Sequence, residues 1–113
     1  RTCLVGSEMC IRDSLGNALE IIPKIDGPFD LVFIDADKIN YINYFEQVFN
    51  KTQPGSLIIS DNVMWDGKVI NKADSDDEST IALQKYNDKL KKDSRIKTLL
   101  LPFRDGLSLC WVI

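Results

Sequence analysis

Two short apolar runs along the chain end abruptly in polar residues. The first run, Phe29–Ile34, is followed by Asp35, and the second, residues 57–60, is followed by Asp61 and Asn62. A buried parallel strand has this pattern, because it is apolar throughout and delivers polar groups at its carboxyl end. If the two strands are neighbours, these three side chains lie close together. Their oxygen atoms suit a hard divalent cation such as magnesium or calcium.

The spacing of apolar residues predicts three helices around these strands, over residues 15–25, 42–49 and 77–92. The second helix links the two strands as the crossover of a strand–helix–strand unit. Residues 53–55, Gln-Pro-Gly, are typical of a turn that closes this crossover. Residues 95–102 and 106–113 are β-rich and separated by three residues, which predicts an antiparallel hairpin. The order of elements predicts the later half of a doubly wound α/β domain, with a mainly parallel sheet that ends in this hairpin.

Composition excludes several classes of function. A net charge of -3 argues against a broad basic surface for nucleic acid, although a small local patch stays open. No apolar run approaches the roughly 18 residues that span a bilayer, so we expect a soluble cytoplasmic protein without a membrane role. The chain has no histidine, which removes Ser–His and Cys–His nucleophilic sites. Any proton transfer must therefore use Lys, Asp, Glu or Tyr.

Several short motifs then follow one another in a distinctive order. They are Asp35-Ala36-Asp37-Lys38 with Asn40-Tyr41, Pro54-Gly55, Asp61-Asn62-Val63-Met64-Trp65 with Gly67, Leu101-Pro102, and Asp105-Gly106-Leu107. Together with the 26-residue step from Asp35 to Asp61, they closely resemble the divalent-metal-dependent O-methyltransferases of the caffeoyl-CoA and catechol type. The resemblance covers residues 15–109.

The resemblance implies a Rossmann-like methyltransferase fold that uses S-adenosylmethionine (SAM) as the methyl donor. It also implies a divalent cation held by Asp35, Asp61 and Asn62, with magnesium favoured and manganese or calcium as alternatives. The substrate would be a catechol-like or caffeoyl-CoA-like small molecule whose neighbouring oxygens bind the cation beside Asp35. Lys38 would accept or stabilise the departing proton.

The resemblance also assigns contacts to the cofactor and the substrate. Ala18 and Asp37 are expected against SAM, and Asn17 occupies the position at which related sequences often carry an acid near the adenine. Trp65 and Asp66 are expected in a loop beside the substrate. Since relatives are commonly dimers, a homodimer is expected by analogy.

Simpler structural roles remain open for the same residues. Asp35 at a strand end is often only a turn former or a helix cap, and Asp37 could cap the crossover helix. Lys38 alone would usually be a solvated surface lysine. Trp65 could anchor its own loop, and the segment around Asp105 is most simply a hairpin turn.

Two other functions and one boundary complete the predictions. A related methyltransferase that acts on a hydroxylated tRNA base and a non-catalytic α/β fragment both stay open. Residues 1–14 carry no glycine-rich cofactor loop and are interpreted as an artefactual segment, while residues 15–113 are interpreted as the carboxyl-terminal half of one methyltransferase domain. By itself, such a chain is expected to be weakly active or inactive.

Overall fold

The structure, a computed structural model, describes residues 12–113. Of the amino-terminal segment 1–14, residues 1–11 lie outside the described part, and the interpretation of this segment stays a prediction. In the described part, no helix is long and apolar enough to cross a membrane.

In the described residues, four strands form one mixed sheet. They are β1 (Phe29–Ile34), β2 (Thr52–Asp61), β3 (Ile96–Leu101) and β4 (Leu107–Val112), in the spatial order β1-β2-β4-β3. β1 and β2 pair in parallel, while β4 pairs antiparallel with both β2 and β3. The predicted parallel unit and the predicted hairpin are both present. The second strand of the hairpin is the one that joins β2.

Within residues 12–113, three α-helices accompany the sheet: α1 (Ala18–Ile21), α2 (Tyr41–Phe49) and α3 (Glu78–Lys92). α1 is shorter than predicted because Pro23, which has no backbone N–H, falls within a 3₁₀ turn at Ile22–Lys24 that follows it. Two further 3₁₀ turns, Lys38–Asn40 and Lys68–Ile70, precede α2 and α3. Asp77 caps the start of α3, since its carboxylate accepts hydrogen bonds from the Thr80 amide at 3.2 Å and the Thr80 hydroxyl at 2.7 Å.

The predicted turn at residues 53–55 was wrong, since these residues belong to β2. Phe29 pairs with Thr52, and Leu31 pairs with Leu57. β2 therefore has more residues between these two pairings than β1 has. The excess forms a bulge in which Gly55 has φ 97°. Residues 53–55 therefore interrupt the pairing of β2 with β1 without ending β2.

Most of the core lies between one face of the sheet and helices α2 and α3. Its completely buried side chains include Tyr41, Phe45, Ile58, Leu83 and Tyr86. Full burial of an apolar side chain of this size stabilises the fold by about 1.5–3 kcal/mol. This packing fixes α2 and α3 against the sheet.

The opposite face of the sheet is apolar and open. Leu31, Phe33, Leu99 and Trp111 are each more than half exposed on it. Parallel strands in doubly wound domains are normally covered on both faces. The described part thus presents the kind of apolar surface that marks an interaction site.

An ion-pair cluster joins α2, α3 and the start of β3. Lys89 Nζ lies 2.7 Å from Glu46 Oε1 and 3.1 Å from Asp93 Oδ2, and Arg95 Nη2 lies 2.7 Å from Asp93 Oδ2. The hydrogen bonds from Arg95, followed by that from Lys89, hold the pKa of Asp93 well below its usual range despite partial burial. Because the Asp93 side chain is only 8% exposed, its ion pairs contribute more to stability than a pair of exposed side chains does.

Replacing Asp93→Asn should therefore destabilise the chain at pH 7 by about 1.5–3 kcal/mol, the range for hydrogen bonds to charged groups. A depressed pKa contributes stability above the unfolded-state value, ordinarily 3.8, and this contribution is lost as the pH falls towards the folded-state value. In urea unfolding, the gap between wild type and variant should shrink between pH 7 and about pH 3. Asp88→Asn, which removes an exposed pair with Lys92, is the control and should change little. A gap that is equal at both pH values would contradict this account.

Candidate active site

The parallel pair of strands brings the two acidic strand ends to one edge of the sheet. Ile34 is paired with Ser60, so Asp35 and Asp61 follow at the same level. The Asp61 carboxylate accepts the backbone N–H of Asn62 at 2.8 Å. The three residues predicted to converge therefore occupy the same edge.

A buried lysine connects this edge to the crossover helix. Lys38 Nζ donates to Asp35 Oδ1 at 3.4 Å, to the Ala36 carbonyl at 2.8 Å and to the Tyr41 hydroxyl at 2.8 Å. An ammonium group has three donors, and these contacts use all of them. Lys38 is only 9% exposed, so it is not the solvated surface lysine of the simpler interpretation.

Tyr41 extends the same network to the second strand. Its hydroxyl donates to the backbone carbonyl of Asp61 at 2.7 Å. Burial, and then the negative charges of Asp35, Asp61 and Asp105, raise the pKa of Tyr41 well above its usual value. The phenol is therefore a neutral, permanent hydrogen-bond donor among three carboxylates.

The hairpin turn supplies the third carboxylate of this edge. Asp105 accepts a hydrogen bond from Asn62 Nδ2 at 3.1 Å and another from the backbone N–H of Asp66. The backbone carbonyl of Asp105 also accepts a hydrogen bond from the loop, donated by the Met64 backbone N–H at 2.9 Å. The sequence marked Asp105 only as part of a turn. Its role became visible once β4 was seen to pair with β2.

The loop after β2 has an unusual backbone. Asn62, Trp65 and Asp66 all have left-handed conformations, with φ values of 62°, 51° and 54°. Such conformations each cost roughly 1 kcal/mol or more in residues other than glycine, and they cluster at functional sites. The Asp105 hydrogen bonds hold this loop in place.

The predicted metal ligands have chemically suitable atoms to spare. Hydrogen bonds of the described residues use Asp35 Oδ1, Asp61 Oδ1 and Asn62 Nδ2. The second carboxylate oxygen of each aspartate and the amide oxygen of Asn62 take no part in those bonds. Two carboxylates and one amide are a partial ligand set for a hard cation, with water or substrate oxygens completing it. Within residues 12–113, no group of three or more Asp, Glu, Cys or His side chains is arranged to hold a metal.

The predicted cofactor residues lie on the β1 side of the site. An open groove of about 670 Å³ runs along β1 and is lined by Ala18, Phe33, Asp35 and Tyr44 among others. Asn17 is not among its lining residues, and its Oδ1 caps α1 by accepting the Leu19 N–H at 3.0 Å. Asp35 therefore borders both the groove and the acidic edge.

Asp37 is linked to this groove by Tyr44, which lines the groove. Its carboxylate accepts hydrogen bonds from the Tyr44 hydroxyl and from Asn40 Nδ2. The Tyr44 bond, followed by that of Asn40, lowers the pKa of Asp37, and the same contact raises the pKa of Tyr44 to about 12. Asp37 makes no side-chain bond to the backbone of the helix that it precedes, so it is not a cap. Tyr44 was missed in the sequence, although it follows Tyr41 at helical spacing.

The predicted substrate loop covers the lysine. Lys38 Nζ lies 5.7 Å from the ring centroid of Trp65, and Trp65 is partly buried against the core. Asp66 is exposed, while its backbone is held by Asp105. Trp65 thus both anchors its loop and forms one wall beside Lys38.

Comparison with known sequences identifies similar proteins. A family model described as O-methyltransferase matches residues 8–113. The chain is 39% identical to a caffeoyl-CoA O-methyltransferase of Petroselinum crispum over 94% of this chain and 48% of that protein. It is 34% identical to a catechol O-methyltransferase of Niastella koreensis over 86% of this chain and 48% of that protein. The chain spans about half the length of these curated relatives.

Solved structures show the same fold. An SAH-bound methyltransferase of Podospora anserina has a TM-score of 0.76 and 28% identity, covering 87% of this chain and 47% of that one. An O-methyltransferase of Bacillus cereus in complex with SAH has a TM-score of 0.75 and 31% identity, covering 85% of this chain and 46% of that one. The predicted Rossmann-like methyltransferase fold is confirmed.

The contact between the hairpin turn and the loop can be tested at two glycines. Gly106 and Gly67 both have positive φ, 86° and 78°. A Cβ at Gly106 would lie 2.5 Å from Met64 Cγ and 3.1 Å from Met64 N, whereas a Cβ at Gly67 would meet nothing within 4 Å. Gly106→Ala should therefore destabilise the chain by about 1–3 kcal/mol more than Gly67→Ala, because only Gly106→Ala adds a clash to the backbone strain. Thermal unfolding measures this difference, and equal losses would show that the turn does not press on Met64.

Proposed function

Because the chain belongs to the O-methyltransferase family, we propose that it carries the metal-binding and acceptor-binding side of a SAM-dependent O-methyltransferase site. The observation that carries this proposal is the convergence of Asp35, Asp61 and Asn62 at the edge formed by two parallel strands. The whole protein would transfer a methyl group from SAM to one hydroxyl of a small catechol-like or caffeoyl-CoA-like molecule. The names of the relatives from Petroselinum crispum and Niastella koreensis support this class of acceptor.

Asp35, Asp61 and Asn62 would hold a divalent cation through the oxygens that their hydrogen bonds leave free. When bound, such a cation lowers the pKa of a hydroxyl group that it contacts. Magnesium is the first candidate, since it commonly takes a small number of protein oxygens and keeps water or substrate as its other ligands. The hydrogen bond that Asn62 Nδ2 donates to Asp105 orients the Asn62 amide so that its nitrogen points to Asp105 and its oxygen is free.

Lys38 would act on the acceptor hydroxyl as a positive charge. Its ammonium group already donates to three oxygens, and the contact with Asp35, at 3.4 Å, is the longest. An acceptor oxygen that replaced this longest contact would receive a charge-assisted hydrogen bond. The negative charge left on that oxygen after its proton has passed to solvent would then be stabilised by Lys38 Nζ. Trp65 would shield this contact from water.

SAM would occupy the groove along β1. Ala18 and Tyr44 line this groove, and the Tyr44 hydroxyl is hydrogen-bonded to Asp37. Asp35 borders both the groove and the metal-binding edge, which would place the methyl donor and the acceptor hydroxyl on its two sides. Such an arrangement aligns the two reactants, the main task of the protein in methyl transfer. The SAH bound to two similar solved structures supports this cofactor.

The metal ligands can be tested directly by isothermal titration of the chain with magnesium chloride. Asp61→Ala removes a carboxylate from the site and should weaken binding by about tenfold or more, on the order seen when metal-site residues are lost. Asp76→Ala removes an exposed acid in the loop before α3 and should leave binding unchanged. Circular dichroism of both variants checks that the fold is kept.

Two outcomes would count against the proposed function. One is the absence of binding by the wild-type chain at millimolar magnesium. The other is unchanged binding after Asp61→Ala, which would favour a purely structural role for the acids.

A further inference from the structure

Tyr41 is the first residue of α2, and it is completely buried. Its hydroxyl accepts a hydrogen bond from Lys38 Nζ at 2.8 Å and donates one to the Asp61 carbonyl at 2.7 Å. Lys38 in turn donates to Asp35. A single hydroxyl therefore joins the polar ends of β1 and β2, on which two of the proposed metal ligands lie.

The core holds the ring of Tyr41 in one place. Tyr86 packs edge-on against it, with ring centroids 5.3 Å apart and an interplanar angle of 76°. The Tyr86 hydroxyl is hydrogen-bonded to Ser60 Oγ, one residue before Asp61. Phe45 also packs edge-on against Tyr86, with ring centroids 6.1 Å apart. The position of the Tyr41 hydroxyl is therefore set by packed aromatic rings on α2 and α3.

Loss of this hydroxyl would remove one hydrogen-bond partner from each of two polar groups. The Asp61 carbonyl would lose the donor that satisfies it next to the core, and Lys38 would lose one of its three acceptors. A buried polar group that loses its partner costs free energy, which favours a rearrangement that gives the group another partner. Here such movement would displace the backbone at Asp61 and the ammonium group that contacts Asp35.

We propose that Tyr41 is a positioning residue that sets the separation of Asp35 and Asp61 for cation binding. The inference rests on the proposed function, because it concerns the same cation site. Tyr41 would not touch the cation or the substrate. It would transmit the rigidity of the core to the ligands, as partners of metal ligands commonly do.

Tyr44 provides a matched control on the same helix. Its side chain is 7% exposed, and its hydroxyl also donates to an aspartate. That aspartate is Asp37, on the groove side, and not one of the three proposed metal ligands. Tyr44→Phe thus removes a comparable hydrogen bond without touching either strand end of the metal site.

The test is the affinity of the full chain for Mn²⁺, measured by electron paramagnetic resonance of the free ion. Tyr41→Phe should weaken Mn²⁺ binding by about tenfold, the lower range for lost partners of metal ligands, while Tyr44→Phe should stay within about twofold of wild type. Tyr41→4-aminophenylalanine restores a donor at the same place and should recover most of the affinity. A merely structural role would lower the melting temperature in both phenylalanine variants without separating their affinities.

The outcomes separate this inference from the proposed function. If wild type binds Mn²⁺ and Asp61→Ala weakens it, but Tyr41→Phe binds like wild type, the positioning role is wrong and the metal site stands. If wild type does not bind at all, both proposals are overturned. If Tyr41→Phe does not fold, the 4-aminophenylalanine variant decides, since a folded variant with tenfold weaker binding would overturn the positioning role.

Discussion

The parallel pairing of β1 with β2 is the constraint on which the rest of the structure depends. Its register sets Ile34 opposite Ser60, so that the aspartate that follows each of these residues lies at the same level. A shift of one residue would turn every side chain of a strand to the other face, moving Ile58 out of the core. The apolar residues of the strands therefore hold the acids at the edge, although they take no part in the chemistry.

The antiparallel hairpin adds the second half of the site. β4 pairs with β2 up to Asp61 opposite Leu107, so the turn before β4 must lie against the loop after β2. Asp105 in that turn binds both Asn62 and the backbone of Asp66, and it holds a loop whose backbone is strained. One sheet thus brings together three segments that are far apart in the chain, each carrying a carboxylate.

The sequence predicts the elements well wherever a periodic apolar pattern exists. β1, α2, α3 and the hairpin were predicted close to their observed bounds, and so was the convergence of Asp35 and Asp61, because parallel neighbours end at the same edge. Residues 53–55 form a bulge and not the predicted turn. The two are hard to separate in a sequence, because a bulge and a turn use the same Pro and Gly signals.

The features that the sequence does not predict depend on tertiary contacts. Asp105 acquires its role only because β4, and not β3, pairs with β2, and nothing local in the sequence shows that choice. Tyr41 looks like an ordinary core residue of α2, and its hydroxyl gains meaning only when the end of β2 lies beside it. Lys38 looks like a surface lysine until the helix and the Trp65 loop bury it.

The central claim is that Asp35, Asp61 and Asn62 form one cation site. Anomalous diffraction from crystals of the chain grown with Mn²⁺ tests it most directly. The account predicts one strong anomalous peak within about 2.0–2.4 Å of oxygens from all three side chains, the range of oxygen-coordinated divalent cations. A well-ordered edge without a peak, or a peak on other residues, would contradict it.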